Sequence, residues 1–219
     1  KGKAINTEEL EKFINELPQK PLGTGVKDLR LSLAGAQTKT AVLLINNEIY
    51  LPDRHTPTSH ILKPAIKGLK ETVENEYICL KVAEKLGIRT PEVKIRNAGK
   101  TKFLLIERFD REIQNNKIKR LHQEDFCQAL NIASAYKYEI DGGVNFHQAF
   151  ELLKRTSKPA IYIKEFINLI IFNYLILNND AHGKNFSLLH LENGEIELAP
   201  AYDILCTKAY AKTTNNMAM

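Results

Sequence analysis

Late in the chain stands F-I-N-L-I-I-F-N-Y-L-I-L, residues 166–177, inside an apolar segment that starts at Pro159. Apolar side chains fall on nearly every face of a 3.6-residue helix here, so the segment predicts a helix over 159–178 buried by its neighbours. The run is about half the length a bilayer crossing needs, and asparagines interrupt it, so no transmembrane span is expected. Such a helix requires an outer layer, which 219 residues with 43% hydrophobic content can supply. Directly after it the character reverses: N-N-D-A-H-G-K-N-F, residues 178–186, gathers Asp180, His182, Lys184 and Asn185 on one short loop.

The preceding pattern divides into a β-rich half and a helical half. Asn6 and Glu9 form a capping-box pair for a short helix whose apolar face is Leu10, Phe13, Ile14 and Leu17, ended by Pro18. Strands are expected on either side of Asn46-Asn47, with the small-residue loop Ala34-Gly35-Ala36 interrupting the first, and again over S-H-I-L-K-P, which carries Lys63. A helix over 71–86 shows a stripe of Val73, Tyr77, Leu80 and Ala83 or Glu84, with Gly87 as its cap, and V-K-I-R and K-F-L-L-I-E-R-F read as two further strands. Helices are then expected over 124–131, 145–154 and 159–178, followed by a hairpin through Asn193-Gly194 that delivers Tyr202 and Asp203. The expected architecture is α+β and bilobed, with a β-rich lobe over 1–109 and a helical lobe over 110–219.

Composition removes several function classes. The net charge is +5, but lysines alternate with glutamates along most of the sequence, as on a solvated mixed surface, and no nucleic-acid motif accompanies them. Cys79, Cys127 and Cys206 stand apart in apolar company and read as reduced core residues of a cytosolic protein. No secretion signal opens the chain. The loop lacks the alternating oxygen ligands of a calcium site, His182 and His190 have no cysteine partner at zinc spacing, and no G-x-S-x-G elbow serves a hydrolase.

Phosphoryl transfer fits better, because it needs few parts: a lysine on the phosphates, a base near the acceptor hydroxyl, and oxygen ligands for magnesium. Asp180 and Asn185 stand five positions apart, the spacing of the kinase catalytic loop, and Asp203 follows eighteen residues later as a second metal-binding carboxylate would. Individually each has an ordinary explanation. Asp180 and Asn185 suit a turn, Lys63 an edge strand, Glu76 a helix surface, His182 a loop bond, and Ser32 is one strand serine among many. Order and lobe placement favour the set.

The strings S-L-A-G-A-Q-T-K-T (32–40), H-I-L-K (60–63), N-E-Y (75–77), E-R-F-D-R (107–111), Q-E-D (123–125), D-A-H-G-K-N-F-S (180–187) and Y-D-I (202–204) together resemble the HipA-type serine/threonine kinase toxins. The resemblance implies Asp180 as catalytic base, Asn185 and Asp203 as Mg²⁺ ligands, and Lys63 on the phosphates of ATP, supported by an ion pair with Glu76. Ala34, Gly35, Ala36, Gln37, Thr38 and Lys39 would form the phosphate-proximal loop. Glu107, Arg108 and Phe109 would be the adenine hinge; His182, Gly183, Lys184 and Asn185 would lie beneath the triphosphate, with Tyr202 beside Asp203. Ser32 matches the serine whose autophosphorylation ejects that loop and silences the kinase, since a phosphate dianion is repelled by ATP phosphates.

The resemblance further implies a cytoplasmic bacterial toxin acting on an aminoacyl-tRNA synthetase. It would be restrained by a helix-turn-helix antitoxin, reaching DNA only through it, with no membrane partner. The short segment before Ser32 points to the short, HipT-like branch, in which the N-terminal subdomain is a separate small antitoxin. The start at Lys1 and the end at Met219 suggest a truncated chain. Two alternatives stay open: a small-molecule phosphotransferase, which shares the D-x-x-x-x-N logic, and a catalytically silent kinase-fold partner within a repressor complex.

Overall fold

In this computed structural model residues 2–17, 38–114, 117–133, 135–210 and 217–219 are described. They form two compact units, one of Lys1–Tyr77 and Glu92–Lys119, the other of Ile78–Pro91 and Arg120–Met219.

The first unit is built on an antiparallel sheet of β1 (Lys3–Ala4), β2 (Thr40–Ile45), β3 (Glu48–Leu51), β4 (His60–Pro64), β5 (Val93–Ala98) and β6 (Thr101–Glu107) in the order β1-β3-β2-β4-β6-β5. The β2–β3 turn is the expected one: Asn46 and Asn47 both take left-handed φ, 47° and 67°, which suits a tight hairpin with the strands' own twist. Helix α1 (Thr7–Glu16) starts at the anticipated capping box, Asn6 accepting from the Glu9 N–H while Glu9 accepts from the Asn6 N–H. Its Leu10, Ile14 and Leu17 pack with Val42, Ile49, Leu62, Phe103 and Leu105 into one apolar core.

Helix α2 (Thr72–Lys85) begins one residue later than expected, because Glu71 sits at φ 55° outside the helical region. It closes as anticipated. Gly87, at φ 80°, donates to the Glu84 carbonyl and Ile88 to that of Ala83, the paired bonds of a Schellman cap. The buried stripe is Val73, Glu76, Leu80 and Ala83. Ala83 rather than Glu84 completes it, and a carboxylate, Glu76, lies inside it.

Strand β7 (Arg111–Gln114) pairs with strand β8 (Lys117–Arg120) at the end of the first unit. The second unit packs on one side of the long helix, and in it β9 (His122–Asp125), β10 (Ser187–His190) and β11 (Ile196–Leu198) make a sheet ordered β11-β10-β9. The helix expected over 124–131 is corrected to α3 (Phe126–Ala129), since residues up to Asp125 pair with β10. Asp125 is the N-cap of α3, forming a capping box with Gln128, so the helix cannot start earlier. Helix α4 (Phe146–Leu153), capped by Asn145, and helix α5 (Pro159–Leu175) follow expectation, α5 ending before Leu177, which adopts φ 57°. The β10–β11 connection has left-handed φ at Gly194 and not at Asn193, with the Gly194 N–H donating to the Leu191 carbonyl; it is a bulged turn rather than a two-residue one.

Phe166 of α5 is fully buried, with the rings of Phe126, Phe150 and Phe186 centred 5.5, 5.7 and 5.1 Å away. This cluster anchors the helix on one side only. Ile167, Ile171, Tyr174 and Leu175, on the opposite side, are exposed, Leu175 by 70%, so the expectation of burial all round is corrected. Hydropathy reports which faces prefer cover; packing alone decides which receive it. Cys79 and Cys127 are buried, Cys206 is half-buried, and none of the three forms a disulfide.

Candidate active site

The loop after α5 is held by its own amide groups. Asn173 donates to the Leu169 carbonyl (3.0 Å), Asn178 donates to Asn173 Oδ1 (2.8 Å), and the Asn179 N–H donates to Thr207 Oγ1 (2.9 Å), whose hydroxyl donates to the Leu177 carbonyl (2.9 Å). Asn173, one of the two asparagines that interrupt the apolar run, therefore fastens the loop from within. Asn185 Nδ2 donates to the Asp180 carbonyl (2.8 Å), and the Asn185 N–H to the His182 carbonyl (2.8 Å), closing the loop on itself. Gly183 is required by close approach: a Cβ there would lie 2.6 Å from Val144 Cγ2.

Asp180 has a side chain 47% exposed, and one of its oxygens is engaged. Tyr138 donates its hydroxyl proton to Asp180 Oδ1 at 2.8 Å, while Lys137 Nζ and His182 Nε2 stand 3.8 Å from the same oxygen. Tyr138 is seated by the Gly142-Gly143 turn, where the Gly143 N–H donates to the Tyr138 carbonyl (2.8 Å) and a Cβ on Gly143 would collide with it. His182 is buried, its Nδ1 has no hydrogen-bond partner among the described residues, and burial pulls its pKa below the ordinary value despite the opposing charge of Asp180. The ring is therefore neutral near pH 7.

Lys184 finds a partner that local sequence did not reveal. Its Nζ lies 3.3 Å from Asp125 Oδ2, so the α3 N-cap also tethers the loop. Tyr202 braces the same segment. Its hydroxyl donates to the Lys184 carbonyl (2.9 Å), and since that uses its only proton, Ser187 donates to Tyr202 (2.5 Å) and Gln123 donates to Ser187 (3.0 Å). Burial pushes the Tyr202 phenol far up, keeping it protonated. Asp203 adopts φ 54°, an uncommon conformation for aspartate, and its charge acts on both His182 and Tyr202. The Asn185 bond uses the amide nitrogen and not Oδ1, and amide and carboxylate oxygens such as those of Asn185 and Asp203 are the donor type Mg²⁺ takes.

In the first unit Lys63 and Glu76 form a buried ion pair, Nζ to Oε1 at 2.7 Å, with both side chains 4% exposed. The ordinary reading of each, edge lysine and surface glutamate, does not hold. Arg108 is bidentate to Asp110 (2.9 and 2.7 Å) and Arg111 adds a third contact (2.7 Å), so Arg108, Asp110 and Arg111 of E-R-F-D-R build a largely buried cluster while Glu107 is exposed. The Glu107 N–H donates to the Glu92 carbonyl and the Arg108 N–H to that of Ser59, both within this unit. Thr38 and Lys39 are half-buried ahead of β2. Ser32, Ala34, Gly35, Ala36 and Gln37 lie outside the described residues.

Sequence reasoning missed Tyr138, and it quoted Asp125 only within a motif, without a role. Their functional neighbours are 42 and 59 positions away, so no local signal marked them, although D-F-C-Q does announce a cap.

Comparison with known proteins gives the family and the fold. The chain belongs to the HipA-like C-terminal domain family, whose model matches residues 31–219. It is 43% identical over 210 residues to a Sinorhizobium fredii protein named "Putative kinase Y4mE", covering 95% of this chain and 50% of that one. It is 30% identical over 228 residues to the serine/threonine-protein kinase toxin HipA of Shewanella oneidensis, covering 98% and 52%. Among solved structures, the Shewanella oneidensis HipA, HipB and operator DNA complex matches with a TM-score of 0.82 at 28% identity, over 100% of this chain and 54% of that one. The Helicobacter pylori kinase CtkA shares the fold, with a TM-score of 0.56 at 16% identity over 77% and 55%. The chain thus has the α+β fold of these kinases and spans about half the length of the relatives it matches.

Proposed function

We propose that this chain is the catalytic part of a HipA-type serine/threonine protein kinase toxin that moves the γ-phosphate of ATP to a protein hydroxyl. The observation that carries the reading is Asp180: a carboxylate with one oxygen fixed by Tyr138, on a loop closed by Asn185. Asp180 orients the acceptor hydroxyl and takes its proton as the new O–P bond forms and the bond from the γ-phosphorus to the β,γ-bridging oxygen breaks, releasing ADP. Asn185 and Asp203 would hold Mg²⁺, which supplies charge neutralisation at the phosphates. Lys63, set by Glu76, binds phosphate. The remaining calls on Thr38, Lys39, the 107–109 hinge and the loop at 34–37 belong to this same reading, with 1–109 and 110–219 as the two kinase lobes.

Regulation follows the same model. Ser32 is the autophosphorylation site, an aminoacyl-tRNA synthetase the substrate, a helix-turn-helix antitoxin the restraint, and the bacterial cytoplasm the compartment. The presence of HipB and operator DNA in the complex of the Shewanella oneidensis relative supports the antitoxin, and no helix among the described residues is long and apolar enough to cross a membrane.

The test is incubation of the purified chain with labelled ATP, Mg²⁺ and cell lysate, beside Asp180→Asn, with intact-mass analysis. One labelled protein band, and one phosphate on the chain that is lost in Ser32→Ala, are expected. Equal labelling by Asp180→Asn overturns the base assignment, label in small molecules alone overturns protein as acceptor, and ATP binding without turnover leaves a silent partner.

A further inference from the structure

Away from the proposed catalytic residues, the antiparallel pair β9–β10 brings together His122, Glu124 and His190. His122 lies directly opposite His190 in the strand register, and Glu124, two residues on, is on the same face as His122. One nitrogen from each histidine and one carboxylate oxygen all fall within 4.8 Å of one another. The His190 Nε2 to Glu124 Oε1 contact is 2.6 Å and the two imidazole rings are centred 5.0 Å apart. These side chains are exposed or half-buried, so further coordination positions open to solvent.

We propose that His122, Glu124 and His190 form a binding site for a divalent transition-metal ion of the zinc type. Two imidazoles and one carboxylate are a recurrent Zn²⁺ donor set, and tetrahedral ligands at ~2.0–2.1 Å from the ion lie roughly 3.3 Å apart, within reach of small side-chain rotations here. Nitrogen donors separate the site chemically from the all-oxygen pair Asn185 and Asp203, since magnesium favours oxygen ligands. The sheet supplies the geometry, because cross-strand and next-but-one neighbours on one face are held by the ladder itself.

Position gives the ion a consequence. β9 ends at Asp125, which tethers Lys184, and β10 begins at Ser187, in the hydrogen-bond chain to Tyr202. An ion clipping the far ends of these strands stiffens the mount of the 180–185 loop.

Titrating the metal-free full chain with Zn²⁺ by calorimetry, with a parallel thermal melt, tests the site. One ion per chain and a raised melting midpoint are expected. His122→Ala and His190→Ala should each weaken binding at least about ten-fold, as loss of one of three ligands does, while Cys206→Ser and Asp180→Asn bind as the parent. His122 is exposed and, among the described residues, its side chain makes one ring contact, so His122→Ala is the variant that removes a ligand with the least disturbance of the fold. A cobalt(II) visible spectrum that vanishes in His122→Ala supports the site. Zinc affinity and stoichiometry unchanged in the His122→Ala, His190→Ala double variant, or no saturable binding by the parent, overturns it. Binding is independent of phosphate transfer, so the kinase reading can fail while this site stands.

Discussion

The Lys63–Glu76 pair and the Asp180 loop are two charged centres built in opposite ways. The pair is sealed, each side chain 4% exposed, with its charges matched at 2.7 Å. Asp180 is nearly half exposed and, among the described residues, one of its oxygens is bonded at hydrogen-bond length, by Tyr138. A lysine whose proposed task is to present one charge to phosphate can be set by a buried counter-charge. A group that must meet an incoming hydroxyl has to leave an oxygen open, and is steadied from one side and from its backbone instead. Loss of the first should show in stability as well as in activity, loss of the second in activity alone.

The sharpest break of that contrast is Asp180→Asn. Loss of a general base should lower phosphate transfer by about 10²–10⁴-fold, while the chemical-denaturation midpoint moves little, as at other partly exposed positions. A large loss of stability would show that the loop is as structural as the pair. Glu76→Ala comes next, with urea unfolding expected to show a loss of about 3–5 kcal/mol because a buried ammonium is left without its partner. The double variant Lys63→Met, Glu76→Leu should recover most of it; failure to recover would mean that other contacts of these residues dominate.

Asp125→Ala removes the α3 cap, at about 1–2 kcal/mol, and releases Lys184, so it should lower both stability and transfer rate, placing it between the two kinds. Tyr138→Phe is milder. Removing one hydrogen bond to a charged oxygen costs up to about ten-fold in transfer rate, with KM for ATP unchanged. Last comes a pH dependence carried by Asp110, which appears only in acid. Burial acts to raise its pKa, but the Arg108 hydrogen bonds and the charges of Arg108 and Arg111 outweigh it and hold the carboxyl below its usual value of 3.8. Its contribution is therefore complete above that value and is lost as pH falls through the lower folded value. Acid titration of stability should show this loss below pH 3.8 in the parent and not in Asp110→Asn.

Much of the local geometry was legible. Asn46-Asn47 announced a left-handed turn, Gly87 a Schellman cap, and Asn6, Asn145 and Pro159 helix starts, because each acts through bonds within a few residues. The D-x-x-x-x-N spacing likewise marked the loop, since Asn185 closes onto the Asp180 backbone within that span. Strand β9 was not legible: H-Q-E-D has no apolar alternation, and it becomes a strand through pairing with residues more than 60 positions later.

Sequence by itself thus determined the turns, caps, amphipathic faces and the residues available for chemistry, because those follow from backbone sterics and short-range bonding. Only tertiary structure decided that Glu76 is buried, that Tyr138 and Asp125 serve the 180–185 loop, and that one apolar face of α5 is exposed. Burial and long-range pairing depend on which distant segment occupies a given space. No residue's own chemistry encodes that.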